Sequence, residues 1–122
     1  MPVSDGFKQF VVDLLVDFGP VTVRNMFGGA GVYADGVMFA ILANDTLYLK
    51  ADKTSARAFA DEGMQPFTYR AEGREPIAMS YWEVPPRLLE EPRELASWAR
   101  EAQRIAGAAK STSKARRNRR RR

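Results

Sequence analysis

The side chains able to do chemistry in this sequence are carboxylates, guanidinium and ammonium groups, and tyrosines. There are 15 Asp and Glu and 19 Lys and Arg, with neither histidine nor cysteine. The two absences exclude thiolate nucleophiles, disulfides and sulfur-ligated zinc, and remove the commonest general base and metal ligand. The carboxylates do not make good the loss. Asp61-Glu62 and Glu90-Glu91 are sequence neighbours whose side chains diverge, while Glu90 and Glu94 share a helix face at its acidic start, where the helix dipole accommodates them. A D-x-D-x-D-G calcium loop is also missing. The expectation is therefore no catalytic residue, no cofactor and no metal. An enzyme built on carboxylates with Arg24 or Lys50 is the least supported reading.

The stretch "NMFGGAGVYADG", residues 25–36, raises phosphate binding as an alternative. A phosphate-cradling glycine loop needs strand, loop and helix in that order, so that backbone N–H groups converge on the anion. Here Gly28, Gly29 and Gly31 lack the GxGxxG spacing, and Val32-Tyr33 and a hairpin turn follow instead of a helix. These glycines are expected to bulge or bend a sheet and to let backbones approach closely.

Charge is concentrated at one end. Residues 110–122 carry Lys110, Lys114, Arg116, Arg117, Arg119, Arg120, Arg121 and Arg122 and no acid, which leaves 11 basic against 15 acidic residues, net −4, in residues 1–109. Each cation that neutralises a phosphate releases condensed counterions, so this arm is expected to contact DNA or RNA by charge, without reading sequence. It holds no apolar residue larger than alanine, cannot pack a core, and is expected to be disordered until bound. Tyr48, Tyr69, Tyr81 and Trp82 could serve as base-stacking platforms. But Phe67 and Tyr69 alternate with Thr68 and Arg70, and no RNP-type series occurs, so core or dimer packing is the favoured reading.

The elements that must position these groups follow from periodicity. Phe7, Phe10, Val11, Leu14, Leu15 and Phe18 predict a first helix, capped by Ser4 and ended by Gly19-Pro20. Asp35-Gly36 and Asn44-Asp45 predict tight turns in an antiparallel meander. Strand 37–43 is expected to be covered on both faces, with Val37, Phe39 and Ile41 on one and Met38, Ala40 and Leu42 on the other. In the next strand Leu47, Leu49 and Ala51 oppose Thr46, Tyr48 and Lys50. A short helix follows, capped by Asp52 or Thr54 and closed by Gly63. Strands near 67–71 and 77–82 turn at Gly73, and Pro85-Pro86 stops the sheet. A last helix from about Pro92 carries Leu95, Trp98, Ala99, Ala102, Ile105 and Ala106. The expected fold is α+β: a two-layer arrangement of five to six antiparallel strands with N-terminal, middle and C-terminal helices over 1–109, then the arm 110–122. The N-terminal stretch lacks a basic leader, and Lys8, Asp13 and Asp17 interrupt its apolar residues. That points to a cytoplasmic chain without membrane contact.

Residues 24–102 resemble the N-terminal domain of the TfoX (Sxy) family of bacterial competence regulators. The likeness rests on Arg24, Met26-Phe27-Gly28-Gly29, Gly31, Tyr33, Phe39, Leu47-Tyr48-Leu49-Lys50, Pro66-Phe67-Thr68-Tyr69, Tyr81, Pro85 and Trp98 in that order. It implies a sheet carrying helices, similar to secretion chaperones and often dimeric. It also implies a non-enzymatic role in activating transcription of DNA-uptake genes, with a cyclic-AMP-receptor type activator protein as partner. Longer members carry a second, helical domain where this chain has its arginine-rich arm. A homodimeric adaptor for protein partners alone is the alternative, motivated by a sheet that needs cover on both faces.

Overall fold

A computed structural model describes residues 3–26, 28–69 and 77–120, without the side chains of 69, 77, 78 and 110–120. The elements run α1 (Asp5–Leu14), β1 (Thr22–Met26), β2 (Gly29–Ala34), β3 (Val37–Ala43), β4 (Thr46–Lys50), α2 (Lys53–Asp61), β5 (Pro66–Tyr69), β6 (Ile77–Glu83), a 3-10 turn (Pro86–Glu90) and α3 (Pro92–Arg120). Local signals place most boundaries. The Ser4 hydroxyl accepts the Phe7 N–H at 3.0 Å, and Asp52 and Ser55 form a reciprocal capping box on α2. Gly63 follows α2 with φ +78°. Asp35 and Gly36, then Asn44 and Asp45, all have positive φ, the signature of type I′ hairpin turns. Phe27, Gly73 and Arg70, along with Arg121 and Arg122, lie outside the described residues.

The six strands form one antiparallel sheet in the order β1-β2-β3-β4-β6-β5. The meander holds through β4. After α2 the chain takes the outer edge as β5 and returns as β6 between β5 and β4. Helices lie on one face of the sheet. Val11, Leu14 and Leu15 of the α1 region, Phe59 of α2, and Leu95, Ala99, Ala102 and Ala106 of α3 join Val32, Phe39, Ala40, Leu42, Leu47 and Leu49 in the main core. Small side chains dominate the α3 seam. Ala96, Ala99, Ala102 and Ala106 are all buried, so the helix axis sits close to β3 and β4. Phe10, expected in the α1 stripe, is 43% exposed, because the apolar arc of α1 is wider than the surface it covers.

The expected faces of β3 are corrected by a register shift. Val32 pairs with Ala40 but Tyr33 pairs with Met38, so Phe39 is an extra residue in the ladder. Phe39, Ala40 and Leu42 therefore all enter the helix-side core, while Met38 and Ile41 belong to the opposite face. Coverage is corrected as well. Among the described residues no helix packs on that opposite face, and Ile41 and Ala43 are buried there by Phe67, Tyr81, Met38 and Tyr48 lying over the sheet. The α3 backbone is helical through Arg120, whereas the sequence expectation for 110–122 is a disordered arm. Alanine, lysine and arginine are good helix formers, and the packed half of α3 supplies the nucleus they extend.

One guanidinium ties the helical layer together. Arg87, in the 3-10 turn, donates to both Glu62 oxygens (2.8 and 2.7 Å) at the end of α2 and to both Glu94 oxygens (2.9 and 2.7 Å) in the first turn of α3. Glu91 accepts a further bond at 2.7 Å. These hydrogen bonds hold the Glu62 and Glu94 carboxyls below the usual carboxylate range.

Two outcomes are expected. Phe39 is fully buried and stacks on Phe18 at a ring separation of 4.8 Å, so Phe39→Ala should lose about 3–5 kcal/mol in urea unfolding at pH 7. Carboxyls depressed in the folded state stabilise it above their unfolded pKa and lose that effect as pH falls through the folded value. The stability gap between wild type and Arg87→Met should therefore be largest near pH 7. It should narrow steadily below about pH 4.3 in urea midpoints taken across a pH series.

Candidate functional site

The face of the sheet away from the helices collects the polar, aromatic and glycine positions Arg24, Gly31, Tyr33, Tyr48, Lys50, Phe67 and Tyr81 of the family resemblance. Cross-strand pairing aligns Arg24 with Gly31, Gly31 with Ile41, Ile41 with Tyr48, and Lys50 with Tyr81. Paired residues point to the same side, so Arg24, Gly31, Tyr33, Met38, Ile41, Tyr48, Lys50 and Tyr81 form one continuous surface. Phe67 joins it through its edge-on contact with Tyr48, ring centroids 5.1 Å apart.

Gly31 is the low point of this surface. A Cβ there would fall 2.7 Å from the Met38 sulfur and 3.1 Å from both the Met26 sulfur and Tyr33 Cε1. The glycine thus allows two methionines and a tyrosine to lie flat over the backbone, the close approach expected of the cluster. Gly28, with φ +80°, makes the turn from β1 to β2, and Gly29 pairs with Met26. The register shift falls in β3, one strand over from the glycines.

Each tyrosine on the surface is already engaged. The Arg24 guanidinium sits 5.5 Å from the centre of the Tyr33 ring, and the Lys50 ammonium 5.1 Å from that of Tyr81. The Tyr81 hydroxyl reaches across β4 and donates to the Met38 carbonyl at 3.1 Å. Burial pushes the Tyr81 phenol up to about 12, helped by Tyr33 nearby. Tyr48 is raised by burial and then by Glu83. With ring faces covered by cations or neighbouring rings, these tyrosines are built as packing and not as open base-stacking platforms.

Lys50 is the one group here with the outline of a catalytic base. Burial lowers its pKa, and its ammonium donates to Ser80 Oγ at 2.5 Å. Ser80 is exposed, however, and no enclosing cavity lies over the pair among the described residues. A cleft of about 190 Å³ between α2 and α3, lined by Lys50, Ser55, Phe59, Trp98 and Glu101, is smaller than the ~300–1,000 Å³ typical of ligand sites. Grooves beside α1 of about 370 and 530 Å³ hold Lys8 and Asp13 respectively as their ionisable groups, with no converging pair. Among the described residues no group of His, Cys, Asp and Glu could hold a metal, and no helix is long and apolar enough to cross a membrane.

The remaining family-motif residues serve the core. Trp98 meets Phe59 edge-on at 4.9 Å, and Pro85 is buried where the sheet ends. Tyr69 ends β5, its side chain outside the described set. Lys110, Lys114, Arg116, Arg117, Arg119 and Arg120 follow one another along the distal part of α3. Sequence reasoning missed Ser80 beside Lys50 and the Arg87 cluster. The i, i+4, i+7 spacing of Arg87, Glu91 and Glu94 was the one available signal for the latter.

Among protein families, the TfoX N-terminal domain matches residues 13–106. No curated protein matches the chain. The matched span takes in the six described strands, the sheet face away from the helices and the packed part of α3, and it leaves the basic arm outside. On that match, over most of its length, the chain belongs to the TfoX N-terminal domain family.

Proposed function

We propose that this protein is a non-enzymatic TfoX-type regulatory module of the cytoplasm, acting in transcriptional control of the competence and DNA-uptake kind. Its sheet face away from the helices contacts a protein partner, for which the family suggests a transcription activator, while the arm holds nucleic acid by charge. The observation that carries the reading is the separation of charge. Eight cations without an acid follow a body of net −4, so the densest positive charge for phosphate lies at one end. The face supports the protein-contact half, since it gathers Arg24, Met26, Tyr33, Tyr48 and Tyr81 where, among the described residues, no helix packs.

A second reading, a homodimeric adaptor without nucleic-acid contact, is favoured by the same face. Half-buried Met38 and Tyr48 border a buried apolar centre over which, among the described residues, no helix packs. Sedimentation separates the two. A dimer that Met38→Glu dissociates supports the adaptor, and a strict monomer rejects it.

The nucleic-acid half predicts a steep salt dependence. Eight phosphate contacts on duplex DNA give a log–log slope of about −7, and a chain ending at Ala109 should lose binding while keeping its urea midpoint. Fluorescence anisotropy at low salt reads both. Undiminished affinity in the truncated chain rejects the reading.

A further inference from the structure

We infer that the arm, as a continuous helical extension of α3, binds double-stranded DNA as a helix lying in its major groove. The inference rests on the nucleic-acid reading of the arm and goes beyond it in naming the ligand's form and the groove that the helix occupies.

The first ground is continuity. The backbone of α3 is helical from Pro92 to Arg120 without interruption. Its first half is fastened to the sheet through Leu95, Ala99, Ala102 and Ala106, all buried. Two side-chain bonds hold it further, from Arg100 to the Asp17 carbonyl at 2.9 Å and from Gln103 to Asp35 at 3.3 Å. Helix formation is costly in its first turn and inexpensive thereafter, so a fastened half-helix removes the barrier to extending it.

The second ground is what opposes the extension. Lys110 and Lys114, Arg116 and Arg120, and Arg117 and Arg121 are four apart, and Arg116 and Arg119, like Arg117 and Arg120, three apart. Like charges at these spacings destabilise a helix, and no acid in 110–122 offsets them. Phosphates would cancel that repulsion while cations near the C-terminus already suit the dipole. Binding and helix formation then favour each other.

The third ground is fit. A helix about 10–12 Å across matches the roughly 12 Å major groove of B-DNA. The corresponding groove of A-form RNA is deep and narrow, and single strands are gripped largely by aromatic stacking. Residues 110–122 contain no aromatic. The eleven residues 110–120 span about 16 Å as a helix, enough to cross the groove.

The test uses the full chain with a 20-base-pair mixed-sequence DNA duplex, its single strand and the matching RNA duplex, read by far-ultraviolet circular dichroism and anisotropy. Saturating DNA duplex should keep the helical signal of the full chain at or above its free value. Ser113→Pro keeps every charge but interrupts the helix, and should weaken duplex DNA binding by at least about tenfold while leaving single-strand affinity and the urea midpoint unchanged. Ser113→Ala, which favours helix, should bind duplex DNA at least as well as wild type. A loss of helical signal on DNA duplex, equal duplex affinity for Ser113→Pro and wild type, parallel loss on duplex and single strand, or equal affinity on RNA duplex each overturns the inference. Those results leave the arm's charge-based binding standing. Retained binding by the chain ending at Ala109 removes both.

Discussion

The one-residue register change at Phe39 decides what each face of the sheet can be. In a regular strand Val37 and Leu42, five apart, would point to opposite sides. With Phe39 inserted, both pack with the helix-side core, and Phe39 and Ala40 fill it in succession. Met38 and Ile41 fall together on the other face, where Tyr81 donates its hydroxyl to the Met38 carbonyl. A single unpaired residue thus supplies the largest buried ring beneath the helices and a methionine-lined surface opposite them. The glycines of β2 complement it, since Gly31 leaves the hollow into which Met26, Met38 and Tyr33 settle.

Much of the fold was legible because it is encoded locally. Asp35-Gly36 and Asn44-Asp45 announce their turns through the positive φ they tolerate, and Ser4 and Asp52 announce helix starts through side chains that cap them. The inserted residue in β3 was not legible, because a bulge is a property of two strands and alternation in one strand does not reveal it. The placement of β6 between β4 and β5 was hidden for the same reason. For the site, the residue types were visible but their convergence was not. Arg24, Tyr48 and Tyr81 come from three strands, and only the pairing register puts them on one face. Arg87 reaches Glu62 across 25 positions, a contact that sequence spacing does not encode.

The electrostatic division between body and arm is sharper than net charge suggests. Several body cations are committed internally: Arg24 and Lys50 to tyrosine rings, Arg87 to three carboxylates, Arg104 to Glu101. Exposed pairs of this kind add little stability individually. The ion pairs of Arg87 and Arg104 cancel locally, Arg24 and Lys50 keep their charge over neutral rings, and the net −4 of residues 1–109 comes from the surplus of acids.

The alanine seam of α3 has a mechanical consequence. Ala99, Ala102 and Ala106 fix how near the helix lies to β3 and β4, and the same helix is the stem of the arm. Seam and arm together act as a lever with its fulcrum at the last alanines. A bulkier side chain at Ala106 would tilt the stem and swing the far end through a larger arc, re-aiming the arm without changing a single charge.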